Sequence, residues 1–125
     1  MHPAMDPATL KATIGKAAAL LASDPPGAER EVRAALQAAP RDPSGNLILA
    51  SALRRQGKAP AALAILEPLA HVFPRAALTQ YELGAALADV GKAGPAIAAL
   101  RAATSLDREN ADRLWQRALT RRSHR

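Results

Sequence analysis

A spacing of 34 residues constrains this chain more than any other feature. Gly57-Lys58-Ala59 recurs as Gly91-Lys92-Ala93, Leu49 recurs as Leu83, and Ala50 as Gly84. Ala28, Ala62 and Ala96 form a series of three at the same offset, as do Val32, Leu66 and Leu100. Pro40 and Pro74 continue it, with Arg108 at the third place. The phase holds from residue 28 to residue 108, which separates a repeat from chance matches. Such a unit must stack on its neighbours to bury its apolar face, and it needs small residues wherever backbones approach. The run "YELGAALADVGKAGPAIAALRAAT" supplies them at Gly84, Gly91, Ala96, Ala99 and Ala103.

Proline and glycine divide the chain into seven apolar segments. Pro25-Pro26-Gly27, Pro40 with Pro43, Gly57 with Pro60, Pro74, and Gly91 with Gly94-Pro95 are the breaks. The spacing predicts helices near 7–22, 27–39, 44–56, 60–73, 76–90, 95–106 and 110–122. Pro60 and Pro95 fit the first turn of a helix, where the missing N–H has no partner to lose. Gly57 and Gly91 fit the left-handed position after a helix end. Composition agrees: 49% of residues are hydrophobic, yet Phe73, Tyr81 and Trp115 are the only aromatics, so Ala and Leu carry the apolar content. Both are strong helix formers.

Helix–turn–helix units of 34 residues resemble the tetratricopeptide repeat family, over about residues 7–120. The unit 77–110 carries the likeness through Leu83-Gly84, Ala96, Leu100 and Ala103. The unit 43–76 carries it through Leu49-Ala50, Leu53, Ala62, Leu66 and Pro74. In the unit 7–42 the second helix fits through Ala28, Val32 and Pro40, while Leu10, Ile14 and Leu21 run about a residue out of step. The resemblance implies an all-α, right-handed α-solenoid of about three helical hairpins in a single domain, 1–122. Residues 110–122 would form a C-terminal capping helix with Trp115 on its buried side and Arg117, Arg121 and Arg122 in solvent, or else the first helix of a truncated fourth unit. Residues 123–125 would form a basic tail.

Function in this family resides in the groove lined by the first helix of each unit. The resemblance therefore points to Leu47, Ser51, Arg54 and Arg55 in one unit and to Leu78, Tyr81, Ala85 and Asp89 in the next. Tyr81 joins an aromatic body to a polar tip, and Arg54 and Arg55 could meet a carboxylate. Co-chaperone members grip a carboxylate with Lys, Asn and Arg; Leu47, Ser51, Tyr81 and Ala85 stand at those places here and argue against that ligand. The expectation is a non-catalytic scaffold for a peptide or partner protein. A narrower likeness joins residues 49–92, through "LRRQG", "ILEPLA" and "YELG", to the repeat segment that precedes a sulfotransferase domain in some bacterial proteins. It implies the alternative of a repeat arm whose catalytic domain is absent, either a freestanding scaffold or an arm separated from its enzyme.

Other chemistry finds little footing. There is no Cys for a disulfide, thiolate ligand or thiol nucleophile. His71 has no second His three or four residues away, so neither a metal nor a cofactor is expected. Glu29 with Glu31 and Asp107 with Glu109 fall at helix ends, and "GKAGP" lacks the Lys-Ser/Thr of a phosphate loop. Net charge is +6, but Arg113, Arg117, Arg121, Arg122 and Arg125 carry most of it. Without interleaved aromatics or a recognition helix, nucleic acid is not the expected partner. The longest apolar run, "AAALLA", is far short of a membrane span. No secretion signal is legible, and a cytoplasmic location is the default expectation.

Overall fold

The computed structural model describes residues 5–123; the side chains of 111, 114, 115 and 117–123 lie outside that description. Six α-helices follow one another, and no strand occurs among the described residues. They are α1 (Pro7–Leu20), α2 (Pro25–Ala38), α3 (Pro43–Arg55), α4 (Ala59–Val72), α5 (Ala77–Asp89) and α6 (Ala93–Ser123).

The first three helices start alike. Asp6, Asp24 and Asp42 each precede a proline that opens the helix. Each carboxylate accepts a hydrogen bond from the backbone N–H three residues on: Thr9 at 2.7 Å, Gly27 at 3.0 Å and Gly45 at 2.7 Å. Those N–H groups have no partner inside the helix, so the cap stabilises each start by about 1 kcal/mol. Pro25-Pro26 is therefore the first turn of α2, two residues ahead of the start expected at 27. The starts of α4 and α5 carry no side-chain cap.

Helix ends obey two devices. Gly57 and Gly91 adopt φ of 79° and 83°. This left-handed turn lets the Lys58 N–H reach the Leu53 carbonyl at 2.9 Å, and the Lys92 N–H reach that of Leu87 at 2.9 Å. The other device is proline. α2 ends two residues before Pro40 and α4 two residues before Pro74, because proline disfavours helical backbone in the residue ahead of it. The Asn46 amide donates to the Pro40 carbonyl at 3.0 Å and the Gln80 amide to the Pro74 carbonyl at 3.1 Å, so this contact also recurs at 34 residues.

At the third place stands Arg108, and nothing stops α6. It runs unbroken to Ser123, so the separate helices expected at 95–106 and 110–122 are one. The expected placements of Trp115, Arg117, Arg121 and Arg122, and of residues 124–125 of the tail, lie outside the described residues.

Each helix packs against the next in chain order, and α3 also touches α1 and α5. Among the described residues α2, α4 and α6 do not meet one another. The core is a narrow seam built around Ala17, Val32, Ala50, Leu53, Ala62, Leu66, Ala86 and Ala96. At Gly84 the seam is closest. A Cβ there would lie 2.7 Å from Leu100 Cγ and 3.2 Å from the Ala96 carbonyl oxygen.

Glu29 ties α2 to the turn after α3. Its carboxylate accepts from Arg33 Nε at 2.8 Å and from Gln56 Nε2 at 2.9 Å, with Lys58 Nζ at 3.9 Å. The hydrogen bond from Arg33, then that from Gln56, lowers its pKa, against a smaller opposing effect of burial.

Two outcomes follow from this packing. Gly84→Leu and Ala96→Arg overfill the α5–α6 crossing and should each cost about 3 kcal/mol or more, whereas exposed Lys92→Ala should stay within about 0.5 kcal/mol; urea unfolding of the three variants checks the ranking. Because Glu29 is depressed in the folded state, its stabilisation is present above the ordinary Glu value of about 4.3 and disappears as pH falls through the lowered folded value. Thermal melts at pH 7 and pH 3 should therefore show the gap between wild type and Glu29→Gln closing at the lower pH.

Candidate functional site

The odd-numbered helices form the layer in which neighbours touch, and the eight expected site residues lie on α3 and α5 of that layer. The register of α3 sets Leu47, Ser51, Arg54 and Arg55 along one face, at steps of four, three and one. On α5 the steps from Leu78 through Tyr81 and Ala85 to Asp89 do the same.

Four of the eight are engaged within the protein. Ser51 is buried, and its hydroxyl donates to Glu82 Oε1 at 3.2 Å. Arg54 Nε donates to Glu82 Oε2 at 2.9 Å, and its guanidinium lies 4.0 Å from Asp89 Oδ2. Arg55 Nε donates to the Ser51 hydroxyl at 3.2 Å. Glu82 gathers this network across α3 and α5 although it is only 9% exposed. Burying a carboxylate is costly unless it is paired and hydrogen-bonded, and both of its oxygens are. Ser51, Arg54 and Asp89 thus take part in contacts between α3 and α5, while Arg55 bonds within α3.

Glu82 is absent from the residues expected at the site, and its signal in the sequence is the repeat itself. Ile14, Ile48 and Glu82 stand 34 residues apart. A charge at a place that the other copies give to isoleucine needs a partner, and Arg54 on the preceding odd helix provides it.

The apolar members remain available. Leu78 is 70% exposed and Tyr81 is 51% exposed; Ala85 is half-buried. Leu47 is half-buried against the core and, with Leu78, lines a cleft of about 440 Å³. Pro43, Leu69, Phe73 and Arg75 also line it, together with the opening turn of α5 and, from α6, Asp107 and Asn110. A second cleft of about 660 Å³ lies on the other flank of Phe73, between Arg41, Ile65, Pro68 and Val72. Phe73 and Val72 are large and exposed. Neither lies on an odd helix, so the groove register does not point to them; their place beside Pro74 is the only sign of them in the sequence. Among the described residues no cluster of His, Cys, Asp and Glu is placed to hold a metal ion. None of the helices there is long and apolar enough to cross a membrane.

No protein-family model and no curated protein matches the chain.

Removing one partner of the network should leave the other stranded. Arg54→Ala is expected to destabilise the fold by about 1–3 kcal/mol, between the values for exposed and fully buried pairs. Glu82→Gln in the same background should recover part of that loss, and a double-mutant cycle by chemical denaturation measures the coupling.

Proposed function

We propose that the chain is a tetratricopeptide-like scaffold. In this reading three helical hairpins stack as a right-handed solenoid, and a peptide or partner protein lies along the odd-helix face. Its support is the 34-residue recurrence, which the Schellman bonds at Gly57 and Gly91 and the amide contacts of Asn46 and Gln80 repeat in three dimensions. Neighbouring odd helices touch and neighbouring even helices do not, and a stack drawn together on one side is concave on that side.

The observation that carries the binding role is the exposure of Leu78 beside the cleft, with Tyr81 one turn on. Two large side chains left in water on this layer contribute little burial energy to folding, and covering them would make that energy available to binding. The neighbouring charges satisfy one another, so the reading is a mainly apolar contact with Tyr81 and Arg55 at its polar edge. It is also a non-catalytic reading: both oxygens of Glu82, the one buried acid of the face, are occupied by Ser51 and Arg54.

Peptides selected from a random display library on the immobilised protein test this directly. Their affinity should fall roughly tenfold or more in Leu78→Asp and Tyr81→Ala, with helix content unchanged, and should depend weakly on salt. Binding indifferent to both substitutions would remove the odd-helix face from consideration, and a steep salt dependence would point to a phosphate-rich ligand.

A further inference from the structure

The 34-residue recurrence also exposes a surface that the chain leaves uncovered. On α4, Leu63 is 8% exposed and Leu66 and Ala70 are buried, because α5 follows. Their counterparts on α6 are Ile97, which is 51% exposed, half-buried Leu100 and exposed Thr104. With Arg101 and Ser105 these residues line a shallow depression of about 470 Å³. Among the described residues α6 packs against α5 alone.

The missing cover is a helix one period after α5, beginning near residue 111. The chain contains it. Residues 111–123 are helical, their sequence brings Leu114, Trp115 and Leu119, and Ala118 stands one period after Gly84. Yet this segment cannot reach its own face. Without a proline at Arg108, α6 spans about 46 Å, against about 21 Å for a 14-residue helix such as α4. The segment therefore projects straight past the hairpin that it would cover.

We infer that residues 111–123 of a second copy of this chain cover the Ile97–Thr104 face, reciprocally, in a two-fold exchanged dimer. Each copy supplies the helix that the other lacks. Laid in register as the next odd helix, the segment runs parallel to α5, so its C-terminal arginines approach the negative pole at the C-terminal end of α5; Asp89 at that end is already paired with Arg54.

Sedimentation equilibrium of the full chain is the test. The expected mass is twice the 13.1 kDa of one chain. Ile97→Asp should raise the dimer dissociation constant by about tenfold or more, with unchanged circular dichroism, since Ile97 is already exposed in the single chain. Arg108→Pro restores the helix stop, allowing the segment to fold back on its own hairpin; this variant should be monomeric with its helix content retained. A wild-type mass of one chain up to about 100 µM overturns the inference, as does undiminished association of Ile97→Asp. So does a folded Arg108→Pro variant that still sediments as a dimer. If Arg108→Pro fails to fold, Ile97→Asp alone decides.

Discussion

Backbone proximity is the constraint on which the structure rests. Helices cross so closely at Gly84 that no Cβ fits beside Leu100, and Ala50, Ala62, Ala86 and Ala96 keep the rest of the seam narrow. A seam of this kind buries little area per residue, so its stability comes from repetition rather than from a thick centre. Among the described residues, Leu66 and Val32 are the largest side chains wholly removed from water. The same narrowness explains the near absence of aromatics: a Phe or Trp ring at the crossings would force the helices apart. Large apolar residues are displaced to the edges, where Phe73, Leu78 and Tyr81 remain partly or mostly in water.

Much of this fold is legible in the amino-acid sequence because its rules are local. Glycine after a helix and proline within its first turn act through one or two residues, so α3, α4 and α5 lie within about two residues of their expected bounds. The two departures arise where a local signal outweighs the repeat. Asp-Pro pairs at 6–7, 24–25 and 42–43 mark helix starts, so the Pro25-Pro26-Gly27 break belongs to α2 rather than to the turn before it. The period alone places a helix end near residue 106, but the proline that ends α2 and α4 is replaced there by Arg108. A period describes where an element could stop; the residue at that place determines whether it does.

The candidate site is harder to read from sequence, for a different reason. Register places eight residues on two adjacent odd helices, but register says nothing about which polar groups satisfy one another. Arg54 and Ser51 meet Glu82 across 28 and 31 residues of sequence, a pairing that only the stacking of α5 on α3 creates. Once those charges are internal, the face that remains is apolar with a polar margin. The cleft around Leu47, Leu78 and Phe73 is apolar, with Arg75 and Asp107 at its margin.

Capping divides the molecule in a way that affects its motion. α1, α2 and α3 each begin with an aspartate holding the first turn, whereas α4 and α5 begin with none. The opening turn of α5, Ala77 to Thr79, is also part of the cleft wall. Its amide groups have no side chain to hold them when the turn frays, so this end of α5 opens at lower free energy than the capped starts. The cleft consequently has one firm wall, set by the capped start of α3 at Pro43, and one yielding lip. Amide exchange should be faster at that lip than at the capped starts of α1, α2 and α3.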